Sequence, residues 1–183
     1  MRVRLALLLL LLAGPAAAAE APPPEPLGYR LDNYLATPPL TVEGRLALTA
    51  REAQRVWESR GAIFIDVLAA PRRPPGLPAG AVWAPKPRLD IPGSIWLPEV
   101  GRGALSSARE AWFRAELKRL TGGNQEVSLV FYCRANCWMS WNATKRALQW
   151  GYVNAQWFRD GTEGWEQAGF PLARADPPAN EPD

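Results

Sequence analysis

The chain has no histidine and only two cysteines in 183 residues. The first absence removes the commonest general base and the commonest neutral metal ligand. It also excludes haem attachment through a C-x-x-C-H motif. Two cysteines cannot build a four-thiolate zinc site, and no metal is expected. Charge of one sign is scarce too, with 21 basic residues against 18 acidic ones. The densest cationic stretch, 71–88, is broken by prolines. The clustered basic face that nucleic-acid binding needs is therefore missing, and no nucleic-acid partner is expected. No long apolar run follows the first twelve residues, whereas a membrane-spanning helix needs about 20.

What is present begins with a secretory pattern. Arg2 and Arg4 give a positive start, 5–12 is an apolar run, and the alanines at 17–19 fit a cleavage site. A signal peptide over 1–19 is expected, which implies export to the periplasm and no membrane span after cleavage. Loss of Arg2 and Arg4 would leave 19 basic residues against 18 acidic ones. The remaining chain of about 164 residues suits one domain. The expected divisions are a proline-rich leader and docking segment over 20–48, a domain over 49–172, and a disordered polar tail over 173–183.

Within the domain, Thr49-Ala50-Arg51-Glu52 reads as a capping box. Ala53, Val56 and Trp57 then share one helical face, and Gly61 stops the helix. The run 62–67 is short and continuously apolar, as in a parallel strand covered on both faces. Eight prolines interrupt 68–98, so most of it reads as an irregular surface excursion, with a short extended piece at 93–97. Trp83 and Trp96 are candidate pins for it. A second capping box, Ser107-Ala108-Arg109-Glu110, opens a helix with Trp112, Phe113, Leu117 and Leu120 on its apolar face. Gly122 and Gly123 end it. The strongest strand is 127–132. A helix about 140–150, a strand at 153–158 and a turn at 161–164 follow, with Asp160 and Glu163 as turn and solvent-facing residues. Trp165 and Phe170 close the domain. Helices alternating with buried-type strands predict an α/β fold, a parallel sheet with helices on its faces.

The chemistry centres on the segment from Tyr132 to Ser140, between a strand and a helix, where ligands of open α/β sheets bind. Backbone N–H groups of a tight turn form an anion-binding concavity, and the helix dipole adds positive potential. The amides of Arg134, Ala135, Asn136, Trp138, Met139 and Ser140 are the expected cradle. Both effects favour a thiolate, so the Cys133 pKa is expected below the free value of about 8.5. Cys133 is the candidate nucleophile and Cys137 its partner. The pair is read as cycling between dithiol and disulfide, or as carrying sulfur as a persulfide on Cys133. The competing reading is a plain structural disulfide, the usual fate of exported cysteine pairs. So short a loop, however, constrains little unfolded-state entropy. Arg134 either pairs with an anionic sulfur species or is simply solvated. Trp138, Trp141 and Trp150 offer stacking faces for an aromatic ligand such as a quinone, against which core packing is favoured for Trp141 and Trp150. Asp66, at the end of the first strand, suits a structural hydrogen-bonding role that orients loop amides.

Four segments together resemble the rhodanese family. Ile63-Phe64-Ile65-Asp66-Val67 is similar to its first strand. Ile91-Pro92-Gly93-Ser94-Ile95-Trp96-Leu97-Pro98 is similar to its I-P-G-A-x-x-x-P signature, without the histidine that often precedes it. Val130-Phe131-Tyr132-Cys133 resembles the strand that leads into the catalytic cysteine. Gly151-Tyr152-Val153-Asn154, with Asp160-Gly161 through Gly164-Trp165, resembles the closing pattern. The resemblance implies a rhodanese-like parallel sheet with helices on both faces. The active loop departs from C-R-x-G-x-R-S: the glycine is missing, Cys137-Trp138 intrude, and the second arginine has no counterpart. This weighs against a thiosulfate-type sulfurtransferase. Cys133-Arg134-Ala135-Asn136-Cys137-Trp138 instead resembles the CXXCW-motif proteins associated with pyrroloquinoline quinone-dependent catabolism. That resemblance implies an accessory role beside a periplasmic quinoprotein alcohol dehydrogenase system. The quinone cofactor would be held by the partner enzyme, and none is expected on this chain. A non-catalytic binding module with a structural disulfide is the main alternative.

Overall fold

The computed structural model describes residues 21–176, 178 and 180–182. The expected signal peptide, 1–19, lies outside the described residues. In chain order the elements are β1 (Thr41–Val42), β2 (Arg45–Leu46), α1 (Ala50–Glu58), β3 (Ile63–Asp66), β4 (Arg88–Asp90) and β5 (Ile95–Trp96). They continue with α2 (Ser107–Thr121), β6 (Leu129–Tyr132), α3 (Trp138–Gln149), β7 (Ala155–Trp157), α4 (Gly161–Gln167) and β8 (Ala173–Ala175).

The central sheet has the order β5-β3-β6-β7, and all its pairings are parallel. In β3, Ile63 faces Leu129 of β6 and Asp66 faces Tyr132. Because side chains alternate along a strand, each strand feeds two layers. Ile65, Leu129 and Phe131 pack with Phe113 and Leu117 of α2 and with Met139, Ala143 and Ala147 of α3. Phe64, Val130 and Tyr132 pack with Ala53 of α1 and Trp165 of α4. The fold is thus α/β with two helices on each face of a parallel sheet. A smaller cluster joins Val42, Trp138, Trp141 and Trp157.

The capping box at Thr49 is present, with Thr49 and Glu52 exchanging hydrogen bonds. The second box is not. The cap of α2 falls one residue earlier, on Ser106, whose side chain accepts from Arg109 N–H. That register places Arg109, not a glutamate, at the third helical position.

Two other expectations change. The predicted turn at 161–164 is the start of α4. Ala173–Ala175, expected within a disordered tail, pairs antiparallel with Arg88–Asp90 of the proline-rich excursion. That excursion also buries Ile91, Trp96 and Leu97, and Trp96 Nε1 donates to Leu68 O at 2.7 Å. The docking segment lies on α3: Asn142 accepts from Arg30 N–H and donates to Arg30 O, both at 2.9 Å. Its leucines at 31, 35 and 40 remain exposed, while Pro38 and Pro39 are buried. No helix among the described residues is long and apolar enough to cross a membrane.

Candidate functional site: the cysteine loop

Cys133 directly follows β6, and Cys137 is the N-cap of α3. The two are joined by a disulfide, with Cα atoms 6.3 Å apart. The intervening residues turn outward. Arg134 and Asn136 are exposed, Ala135 is half-buried, and Asn136 adopts φ +54°. Asparagine tolerates that left-handed conformation better than most residues. The cysteine pair is therefore joined, at the strand end where it was expected.

The cysteines, expected beside an anion-binding concavity, are closed off from solvent. Cys133 is 0% exposed and Cys137 1%. The physical reason is the apolar packing on both sides of the loop: both sulfurs belong to the cluster built from α2, α3 and the sheet. Carbonyl oxygens of Arg134 and Cys137 lie 3.7 and 3.6 Å from Cys133 Sγ. Ser140 Oγ lies 3.5 Å from the same sulfur. That hydroxyl accepts from Trp157 Nε1 at 3.0 Å and donates to Cys137 O at 2.9 Å. Ser140 is thus a polar side chain in contact with the bridge.

Two of the six amides expected to form a cradle already have partners. Trp138 N–H donates to Tyr34 O at 2.9 Å. Ala135 N–H donates to Glu163 Oε2 at 2.9 Å. Arg134 pairs with the same carboxylate, Nε to Oε1 at 3.3 Å. Glu163, expected to face solvent, is partly exposed and also partners the loop. Its neighbour Thr162 donates its N–H to Cys133 O at 3.0 Å. Gly161 makes this seat possible: it has φ +54°, and a Cβ there would lie 2.5 Å from Cys133 O.

A second support comes from the excursion. Arg88 Nη2 donates to Cys133 O at 3.3 Å, and Arg88 Nε donates to Asp66 Oδ2 at 2.6 Å. Asp90 Oδ1 is 3.0 Å from the same Nε, but the single hydrogen there points to Asp66. Asp66 also accepts from Leu68 N–H, the structural role expected of it. Its hold on the cysteine loop runs through Arg88. Burial, then the carboxylate of Asp66, push Asp90 up to about 8. Burial also pushes the Tyr132 phenol well above its usual range. Arg88 and Asp90 escaped sequence reasoning because they sit among prolines. The one available signal was their place directly before Ile91-Pro92-Gly93.

The tryptophans divide. Trp141 is fully buried and its Nε1 donates to Thr41 O at 2.8 Å. Trp150 packs on Phe113, ring centroids 5.1 Å apart, with the Arg114 guanidinium over it. Both are packing residues. Trp138 is 3% exposed, stacks edge-on against Trp141, and lies under the Arg30 guanidinium. It also lines a cleft of about 630 Å³ with Tyr29, Leu31 and Asp32 of the docking segment. Met139 is buried in the core. A wider cleft of about 800 Å³, bounded by Trp57, Ile63, Phe64 and Leu120, opens at the amino-terminal end of β3, away from the cysteines.

No family model and no curated protein matches the chain. Solved structures do resemble it. Thiosulfate sulfurtransferase from Pseudomonas aeruginosa is 23% identical with a TM-score of 0.49, over 72% of this chain and 20% of that one. A human single-domain sulfurtransferase is 20% identical with a TM-score of 0.41, over 66% of this chain and 95% of that one. An uncharacterized protein from Saccharomyces cerevisiae is 19% identical with a TM-score of 0.39, over 67% of this chain and 92% of that one. The chain thus matches about a fifth of the length of the Pseudomonas enzyme. At such identities these likenesses say nothing of activity.

Proposed function

We propose that this chain is a periplasmic thiol–disulfide protein whose Cys133–Cys137 pair exchanges two electrons with a partner dithiol, in the service of quinoprotein alcohol oxidation. The observation that carries the reading is the position of the bridge. It closes a short loop at the carboxyl end of β6, capped by α3, with residues 134–136 turned outward. So small a loop restrains the unfolded chain little, which makes it a poor staple. Export is supported by the secretory pattern of 1–19 and by the bridge itself, since disulfides persist in oxidising compartments. The link to pyrroloquinoline quinone-dependent catabolism rests on the resemblance of the run from Cys133 to Trp138. The cofactor stays with the partner enzyme.

In the exchange, a partner thiolate attacks one sulfur of the bridge. A mixed disulfide forms as the Cys133–Cys137 bond breaks, and the leaving thiolate takes up a proton. The second partner thiol then releases the partner as a disulfide and leaves two thiols on this chain. Ser140 can turn its one hydroxyl hydrogen from Cys137 O to a Cys133 thiolate, given its 3.5 Å contact with that sulfur.

Equilibration in glutathione redox buffers, with alkylation and intact-mass readout, tests this reading. The expected reduction potential lies above about −300 mV; a lower value marks a structural bridge and ends the proposal. The second reading, a binding module with a structural disulfide, is favoured by the burial of both sulfurs, and the same measurement decides between them. A thiosulfate-type sulfurtransferase is the third. It requires a persulfide on Cys133 after thiosulfate treatment of the reduced protein, which the same mass readout detects.

A further inference from the structure

Two of the donors that an anionic sulfur compound would use are already engaged. Ala135 N–H and the Arg134 guanidinium both meet the carboxylate of Glu163, at 2.9 and 3.3 Å. Thr162 Oγ1 lies 3.1 Å from the same carboxylate. This anion is tethered. It is carried by the first turn of α4, whose Thr162 N–H is fixed to Cys133 O. A tethered group competes at a high effective concentration, so a dissolved anion must displace it to reach the same donors.

We propose that Glu163 sets the charge of the thiols that this site accepts. It holds the Ala135 N–H and the Arg134 guanidinium at the loop surface, so the cysteine pair exchanges with neutral or cationic thiols and turns anionic ones away. The inference rests on the thiol–disulfide reading and names its substrate class. The reacting partner is a thiol or dithiol in neutral or basic surroundings, and anionic donors such as thiosulfate are disfavoured. The electron count is that of ordinary exchange: the first thiolate forms a mixed disulfide as the Cys133–Cys137 bond breaks, the second forms the external disulfide as the mixed one breaks, and each departing cysteine thiolate is protonated.

The test uses the oxidised full-length protein and three small thiols: cysteamine (cationic), 2-mercaptoethanol (neutral) and mercaptoacetate (anionic). Rates are taken where they are first order in thiol. Each is divided by the same thiol's rate with a small reference disulfide, which removes differences in intrinsic reactivity. The wild type is expected to react in the order cysteamine, mercaptoethanol, mercaptoacetate. Glu163→Gln keeps an oxygen for Ala135 N–H but leaves Arg134 without its counter-charge. Its mercaptoacetate-to-cysteamine ratio should rise at least about threefold, the scale of one unit charge near a surface site. Arg134→Gln should lower the ratio. Glu58→Gln, in α1 at the opposite end of β3, should not move it.

An unchanged ratio in Glu163→Gln overturns the assignment, as does an equal change in Glu58→Gln. If the bridge opens readily in the wild type but without regard to thiol charge, only the role of Glu163 falls. If no thiol opens it, both this role and the thiol–disulfide reading fall.

Discussion

Asp90 ends β4 with 3% of its surface exposed, beside Asp66 and 3.0 Å from Arg88 Nε. One arginine between two buried carboxylates leaves one of them short of a partner, and burial favours its neutral form. The Asp90 carboxyl thus rises from the usual 3.8 to about 8 in the folded protein. Between these two values the folded chain holds a proton that the unfolded chain has released. Stability from this group is fully present below about pH 4 and is lost as pH rises through about 8. The fall from this site approaches about 1.4 kcal/mol per pH unit at its steepest. Urea unfolding across pH 4–8 should show this decline, and Asp90→Asn should flatten it. A wild-type profile that rises over that range would contradict the protonated Asp90. Of the residues around the sulfurs, Cys133, Cys137 and Ser140 were legible in the chain as a motif. Glu163 and Arg88 were not, because each reaches the loop from a distant segment, nor was Asp90, which lies behind Arg88.

At the scale of elements, α4 acts as a seat for the cysteine loop. Its opening sequence, Asp160-Gly161-Thr162-Glu163-Gly164, reads as a turn because two glycines and an aspartate favour turns. The helix forms because Trp165 is fully buried among Trp57, Phe64, Phe158 and Phe170, which anchors the segment. Tertiary packing overrides weak local propensity here. Gly161 fixes the approach, since φ +54° and a 2.5 Å clearance to Cys133 O leave no room for a Cβ. Gly161→Ala should lower stability by about 2 kcal/mol or more, through left-handed strain and displacement of the loop carbonyl. Denaturant titration measures the loss, and a change below about 0.5 kcal/mol would mean that the loop and helix part easily. Helix α1 behaves differently. Its capping box is local, so Thr49→Ala should cost about 1 kcal/mol and leave the redox behaviour of the cysteines untouched.

Across the whole molecule, both ends of the described chain fold back onto the domain. The docking segment covers Trp138 and hydrogen-bonds α3 through Arg30. The C-terminal stretch adds β8 to β4 and then crosses to α2. There Arg109, with its side chain 6% exposed, pairs with Glu181 at 2.7 Å and donates to Pro182 O at 2.6 Å. Asn180 reaches Glu116 at 2.9 Å. Truncation after Leu172 would strand the buried Arg109 guanidinium and uncover Arg88–Asp90. The expected loss is at least about 2 kcal/mol, read as a lower denaturation midpoint. An unaltered midpoint would return 173–183 to the status of a loose tail.

The division of labour follows from range. The α/β alternation, the parallel strands and the placement of both cysteines between β6 and α3 are written in local patterns: capping residues, apolar runs and glycine stops. The chain by itself determined them, because each depends on neighbours a few residues apart. Whether the sulfurs meet solvent, which carboxylate meets Ala135 and Arg134, and which carboxyl stays protonated were decided only by tertiary structure. Those properties arise where α4, the proline-rich excursion and the docking segment converge on one loop. Burial and Coulomb interactions depend on distance through space, and separation along the chain does not encode it.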